Sequence, residues 1–125
     1  MDTRNLLREN AIEFAIQLSD ICENISGCAV YKNQVIRSSS SIGANIFEAR
    51  YAQSKADFVS KLEIALKECY ETEYWMELLL RKGKISQSQF QDLSGKCGSI
   101  RRRLIASVST VKKSLQMTSE KEVNQ

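Results

Sequence analysis

The chain has 125 residues, 42% of them hydrophobic and 26% charged, with no proline, no histidine and only five glycines. It is one domain in size, long enough to bury a core without disulfides or metals, and its composition points to an all-α fold. With a formal net charge of only +3, no apolar run of membrane-spanning length and no signal-peptide-like start, the expectation is a cytoplasmic protein with no membrane partner.

The first helix is expected from Thr3 or Asn5 to Ser26, with Leu7, Ala11, Phe14, Leu18, Ile21 and Ile25 recurring at steps of three and four. Ser26 and Gly27 supply its stop. A second helix beginning near Ala29 or Tyr31 and ending between Tyr51 and Gln53 contains the run 37–48, Arg-Ser-Ser-Ser-Ser-Ile-Gly-Ala-Asn-Ile-Phe-Glu. In helical projection Gln34, Ser38, Ser41, Asn45 and Glu48 form one polar stripe, and Val35, Ser39, Ile42, Ile46 and Ala49 form an apolar one beside it. Four serines in a row are poor helix material, so packing has to hold this segment helical.

Ser54 is the expected N-cap of a third helix, Lys55 to Lys82, with Asp57 in its first turn and Phe58, Leu62, Ala65, Cys69, Met76 and Leu79 inward. Gly83 closes it. Ser86 then caps a fourth helix whose inward stripe is Phe90, Leu93, Cys97, Ile100, Leu104, Val108, Val111 and Leu115. Periodicity fades after Met117, which predicts a bundle over 1–117 and a disordered tail over 118–125. Short connections make consecutive helices antiparallel neighbours, so the expected architecture is an up-down-up-down antiparallel four-helix bundle.

In such a hairpin Arg37 lies opposite the third-helix turn holding Glu71 and Glu73, and an ion pair with one of them is expected. Ser41, Asn45 and Glu48 continue the same polar seam. The four cysteines, Cys22, Cys28, Cys69 and Cys97, are scattered, with no Cys-x-x-Cys pair; they read as reduced thiols, and no metal or cofactor is expected. Without histidine, a Gly-rich phosphate loop or a nucleophile beside a base, no enzyme is expected. Tyr70 and Tyr74, one turn apart and off the inward stripe, suit an oligomer contact; Trp75 suits the core edge.

Charge is unevenly spread. Between Ser86 and Ser119 stand six basic residues, Lys96, Arg101, Arg102, Arg103, Lys112 and Lys113, against Asp92 alone, a local balance of +5 in a chain of +3. Spacings of seven and eleven residues line these groups along the fourth helix, and such a row suits phosphates. An ordinary solvated face is the competing reading, because no aromatic residue is interleaved with the row to stack on bases.

The run 37–48, followed by Asp57-Phe58, by Leu62-x-Ile64-Ala65 and by Glu71, resembles the bacterial four-helix-bundle family that includes the proteins encoded in intervening sequences of 23S ribosomal RNA genes. The resemblance covers roughly residues 31–80. It implies a small all-α subunit that assembles into a homopentamer. A related branch, the accessory variability proteins of diversity-generating retroelements, is similar in fold, basic, and implies binding to nucleic acid and to a reverse transcriptase. The chain departs from the family pattern at Ala49, where Gly is usual, and at Lys67-Glu68, where Gly-Ser is usual. Two functional readings follow: a non-catalytic oligomer that binds RNA or DNA through the basic helix, or a scaffold that docks a partner protein such as a reverse transcriptase.

Overall fold

A computed structural model describes residues 3–123, with side chains from Asn5 to Thr118 and at Glu120. Four α-helices and no strands occur among the described residues: α1 Thr3–Glu23, α2 Ala29–Ala49, α3 Lys55–Arg81 and α4 Gln87–Val123. Each packs on its sequence neighbours and α4 closes against α1, while no Cα atoms of the diagonal pairs approach within 8 Å. The fold is therefore the up-down-up-down antiparallel bundle that the short connections predict.

The expected apolar stripes are the core. Phe14 and Leu18 of α1, Ile42 of α2, Met76 and Leu79 of α3, and Leu93, Ile100 and Leu104 of α4 are all fully buried. Burial of each such side chain contributes about 1.5–3 kcal/mol. Cys22, Cys69 and Cys97 lie on those stripes and are buried; all four cysteines are free thiols. Ala11 and Gly43 let α1 and α2 come close, since a Cβ on Gly43 would stand 3.7 Å from that of Ala11.

Local chemistry sets the helix ends. Before α3, Ser54 Oγ accepts from the Asp57 N–H at 3.0 Å, and Asp57 reaches back to the Gln53 N–H at 3.2 Å. Ser86 and Gln89 form the reciprocal pair before α4, at 3.0 and 2.9 Å, which is a capping box. After α3 the Gly83 N–H donates to Leu80 O and the Lys84 N–H to Leu79 O, both at 2.9 Å, with Gly83 at φ +71°; this Schellman closure requires the left-handed conformation that glycine adopts freely.

Three ends differ from expectation. α1 stops at Glu23 rather than Ser26, because the chain tightens through Asn24 N–H to Ile21 O and Ile25 N–H to Cys22 O, both 3.1 Å, before the left-handed pair Gly27 and Cys28. The carbonyls this exposes are taken by lysines, Lys32 on Ile25 O at 2.9 Å and Lys84 on Ser26 O at 2.8 Å. α2 ends at Ala49, two residues short of Tyr51. α4 continues as helix to Val123, beyond Met117, where fading periodicity predicts a tail; residues 124 and 125 lie outside the described residues. At 1.5 Å per residue α4 is about 55 Å long against about 32 Å for α1, so its end runs past the bundle. Lys55 at the start of α3 reaches Ser114 Oγ at 2.8 Å, which marks where that overhang begins.

α2 is unbroken through the serine run. Ser38 and Ser39 are buried and bond back to the carbonyls of Val35 and Ile36 at 3.4 and 3.2 Å, the local alternative to solvation that hydroxyls offer inside a helix. Across the seam, Ser38 meets Thr72, a fully buried α3 residue absent from the expected inward stripe.

Candidate nucleic-acid interface

Two groups of residues are candidates for function: the polar seam between α2 and α3, and the basic residues of α4. In the seam, Arg37 Nη2 pairs with Glu71 Oε1 at 2.5 Å and Nη1 with Glu68 Oε2 at 3.3 Å, while Nε donates to Gln34 at 3.0 Å. Glu71 is thus one of the two predicted partners. Glu73 is not the other: two residues on, about 200° round the helix, it meets Arg101 of α4, and Glu68 takes its place. The Trp75 indole also donates to Glu71, at 3.3 Å. Burial pushes the Glu68 carboxyl above the usual carboxylate range, whereas the Arg37 hydrogen bond holds Glu71 below it.

The remaining seam residues divide. Glu48 crosses to α3 and pairs with Lys61 at 3.1 Å. Asn45 does not cross: its amide donates to Ser41 O at 2.8 Å and Ser41 Oγ at 3.2 Å, one turn back on its own helix. The hydroxyls of Ser38, Ser39 and Ser41 and both carboxylates are therefore engaged in holding α2 to α3 and α2 to itself. Among the described residues no three of Cys, Asp and Glu group as metal ligands, and no helix is long and apolar enough to cross a membrane.

On α4 each predicted spacing holds, but the pairs lie on three faces rather than one. At 100° per residue, Arg101 and Lys112 turn toward α3, Lys96 and Arg103 toward α1, and Arg102 and Lys113 outward. Arg101 Nε pairs with Glu73 at 2.9 Å and Lys112 with Glu63 at 2.7 Å. Lys96 bonds Gln17 of α1 at 2.7 Å and Asp92 at 3.1 Å. Arg103 is half-buried, with Nη1 enclosed and without a hydrogen-bond partner. Arg102 and Lys113 are exposed and make no ion pair among the described residues. The Glu73 hydrogen bond raises the already high Arg101 pKa further, keeping that guanidinium charged.

Spacing along one helix also concealed an aromatic neighbour. Arg101 lies over the Tyr70 ring of α3, its Cζ 5.5 Å from the centroid, a cation–π distance. Tyr70 and Tyr74 are about half exposed, at 51% and 55%, and the first of these rings flanks the basic helix. Further along the α3–α4 boundary, Leu66, Ile105 and Val108 floor a groove of about 330 Å³ rimmed by Lys112 and Lys113.

A small antiparallel four-helix bundle, tied by an Arg–Glu seam and carrying basic groups on its last helix, is the class of protein that fold and surface define. The chain belongs to the family of 23S rRNA-intervening sequence proteins, whose model matches residues 4–106. Among solved structures it is similar to a protein of unknown function from the S23 ribosomal protein family of Bacteroides thetaiotaomicron, with 39% sequence identity and a TM-score of 0.82, over 86% of this chain and 99% of that one. No curated protein matches the sequence. Lys112 and Lys113 lie beyond the family match.

Proposed function

We propose that this protein is a non-catalytic, cytoplasmic, self-assembling subunit that binds RNA or DNA through the phosphates, using the outer side of α4. The observation that carries this reading is the outward pair Arg102 and Lys113, exposed and without a carboxylate partner among the described residues, on a helix segment whose balance is +5. Arg103, Lys96, Arg101 and Lys112 flank that pair and add to its field, although the last three share their charge with neighbouring acids. The family name, which refers to intervening sequences of 23S rRNA, is consistent with an RNA setting.

Self-assembly is supported by complementary surfaces on one chain. α1 exposes Ile12 and Ile16, next to Glu9 and Glu13 on the same helix, while the α3–α4 groove offers an apolar floor between Lys112 and Lys113. Contact between two such different surfaces is head-to-tail, the kind that makes a ring when its rotation closes and a filament when it does not; the pentamer implied by family resemblance is the closed case. A ring repeats the basic surface in every subunit and converts weak contacts into avidity. The same groove favours a second reading, a scaffold that docks an acidic amphipathic segment of a partner protein.

Fluorescence anisotropy with a labelled oligonucleotide across a salt series tests the proposal. Affinity is expected to fall steeply with salt, about one unit of logarithmic slope per phosphate neutralised, and the pair Arg102→Ala, Lys113→Ala is expected to weaken binding to every sequence. Binding that is absent at low ionic strength, or unaffected by both substitutions, overturns it in favour of the scaffold.

A further inference from the structure

Gly98 is a helix-interior glycine, which is destabilising relative to alanine, and it is buried. Its cover is the two guanidiniums that follow it. A Cβ at this position would stand 3.1 Å from Arg102 Nη1 and 3.4 Å from Arg101 Nη2, so the missing side chain lets both cations settle over the same stretch of backbone. Two guanidiniums converging in this way repel one another unless an anion lies between them. Glu73 meets only Arg101, and through Nε at 2.9 Å; Arg101 Nη2 remains on the Gly98 side, and Arg102 has no carboxylate partner among the described residues. The pair therefore retains about one positive charge in excess, with N–H groups from both forks available to a phosphate.

The other side of Arg101 faces an aromatic ring. Its Cζ is 5.5 Å from the Tyr70 centroid, so a phosphate over Gly98 and a base on Tyr70 are within the span of one nucleotide. Tyr74, one turn along α3, presents a second half-exposed ring, held by edge-on contact with Trp75 at 5.1 Å and 72°. Two exposed rings spaced by one helical turn, the first of them beside the paired guanidiniums, suit unstacked bases on a flexible backbone, whereas a duplex keeps its base faces covered.

We infer that Tyr70, Arg101 and Arg102, gathered beside Gly98, with Tyr74 exposed one turn further along α3, form a stacking-and-phosphate site that takes single-stranded RNA or DNA in preference to duplex. This rests on the nucleic-acid reading above and adds the strand form it recognises.

The test compares a labelled oligothymidylate with a blunt duplex of equal length at low salt, using the intact protein. Wild type is expected to favour the single strand. Tyr70→Ala is expected to lower single-strand affinity roughly fivefold or more, the usual effect of losing one base-stacking ring, with a much smaller effect on duplex; Tyr70→Phe retains the ring and restores the preference. Gly98→Ala, which favours the helix and so leaves the fold intact, displaces the guanidiniums and weakens single-strand binding. Equal affinity for both strand forms, or a preference that survives both Tyr70→Ala and Gly98→Ala, overturns this site while leaving nucleic-acid binding in place. Absence of any salt-sensitive binding overturns both.

Discussion

Thr72 Oγ1 lies 2.8 Å from Ser38 Oγ and 2.8 Å from Glu68 O, in the fully buried seam between α3 and α2. One hydroxyl thereby ties two helices and its own preceding turn. Thr72→Val, similar in shape, removes that link and leaves Ser38 only a 3.4 Å contact to Val35 O. Stability is expected to fall by about 1–2 kcal/mol, the scale of a buried hydroxyl left poorly satisfied. Ser38→Ala costs less, because Thr72 keeps its carbonyl partner. Urea unfolding of the two single variants and the double variant checks this, and the double loss is expected to be smaller than the sum of the two.

Arg37, shared between Glu68 and Glu71, makes the same seam sensitive to pH. Glu71 is held below the ordinary carboxylate range by the Arg37 hydrogen bond, so its contribution is complete above about pH 4.5 and disappears as pH falls through its folded value. Glu68 has the opposite sign: burial raises its carboxyl, so the fold retains a proton that the unfolded chain has released, and stability is lost as pH rises from about 4.5 through the raised value. Glu71→Gln is therefore expected to cost about 0.5–1 kcal/mol at pH 7 and progressively less toward pH 3. Glu68→Gln is expected to cost less than Glu71→Gln at pH 7. Denaturant midpoints at pH 3, 5 and 7 check the order, and its reversal contradicts the assignment.

Asn45 would be a critical residue if its amide crossed to α3. It instead bonds Ser41 within α2 and is only half-buried. Asn45→Leu is expected to shift stability by less than about 1 kcal/mol and to leave the particle mass in solution unchanged, as read by thermal unfolding and by light scattering coupled to size exclusion. A fall in that mass would assign the side chain a contact between copies of the chain.

Cys97 Sγ faces Cys69 O at 3.6 Å between α3 and α4. Its hydrogen bond with Cys69, together with burial, pushes the thiol far above its ordinary value, and thiolate is the reactive form. In the native protein a maleimide is expected to label Cys28, the one thiol that is not fully buried, well before the other three. Mass spectrometry of a time course checks the order; early modification of Cys97 would mean that α3 and α4 open readily.

The number of helices, most of the inward residues of each, the caps at Ser54 and Ser86 and the closure at Gly83 were legible in the amino-acid sequence, because they depend on contacts within a few residues and on a period that repeats along each helix. Thr72 escaped notice because a hydroxyl breaks an apolar stripe in sequence while completing it in space. Cross-helix partners were only partly legible. Arg37 with Glu71 followed from hairpin geometry, but Glu68 replacing Glu73, and Glu73 turning to Arg101, depend on the rotation of α3 about its axis, to which carboxylates two residues apart are acutely sensitive. The basic row of α4 came apart for a related reason. Intervals of seven and eleven residues align each pair with itself and leave open the angle between pairs, so three aligned pairs occupy three faces. The Tyr70 ring beside Arg101 belongs to another helix altogether, and no spacing within α4 carries information about it. Tertiary packing decides such contacts because it sets the rotation and axial register at which two separately amphipathic helices meet.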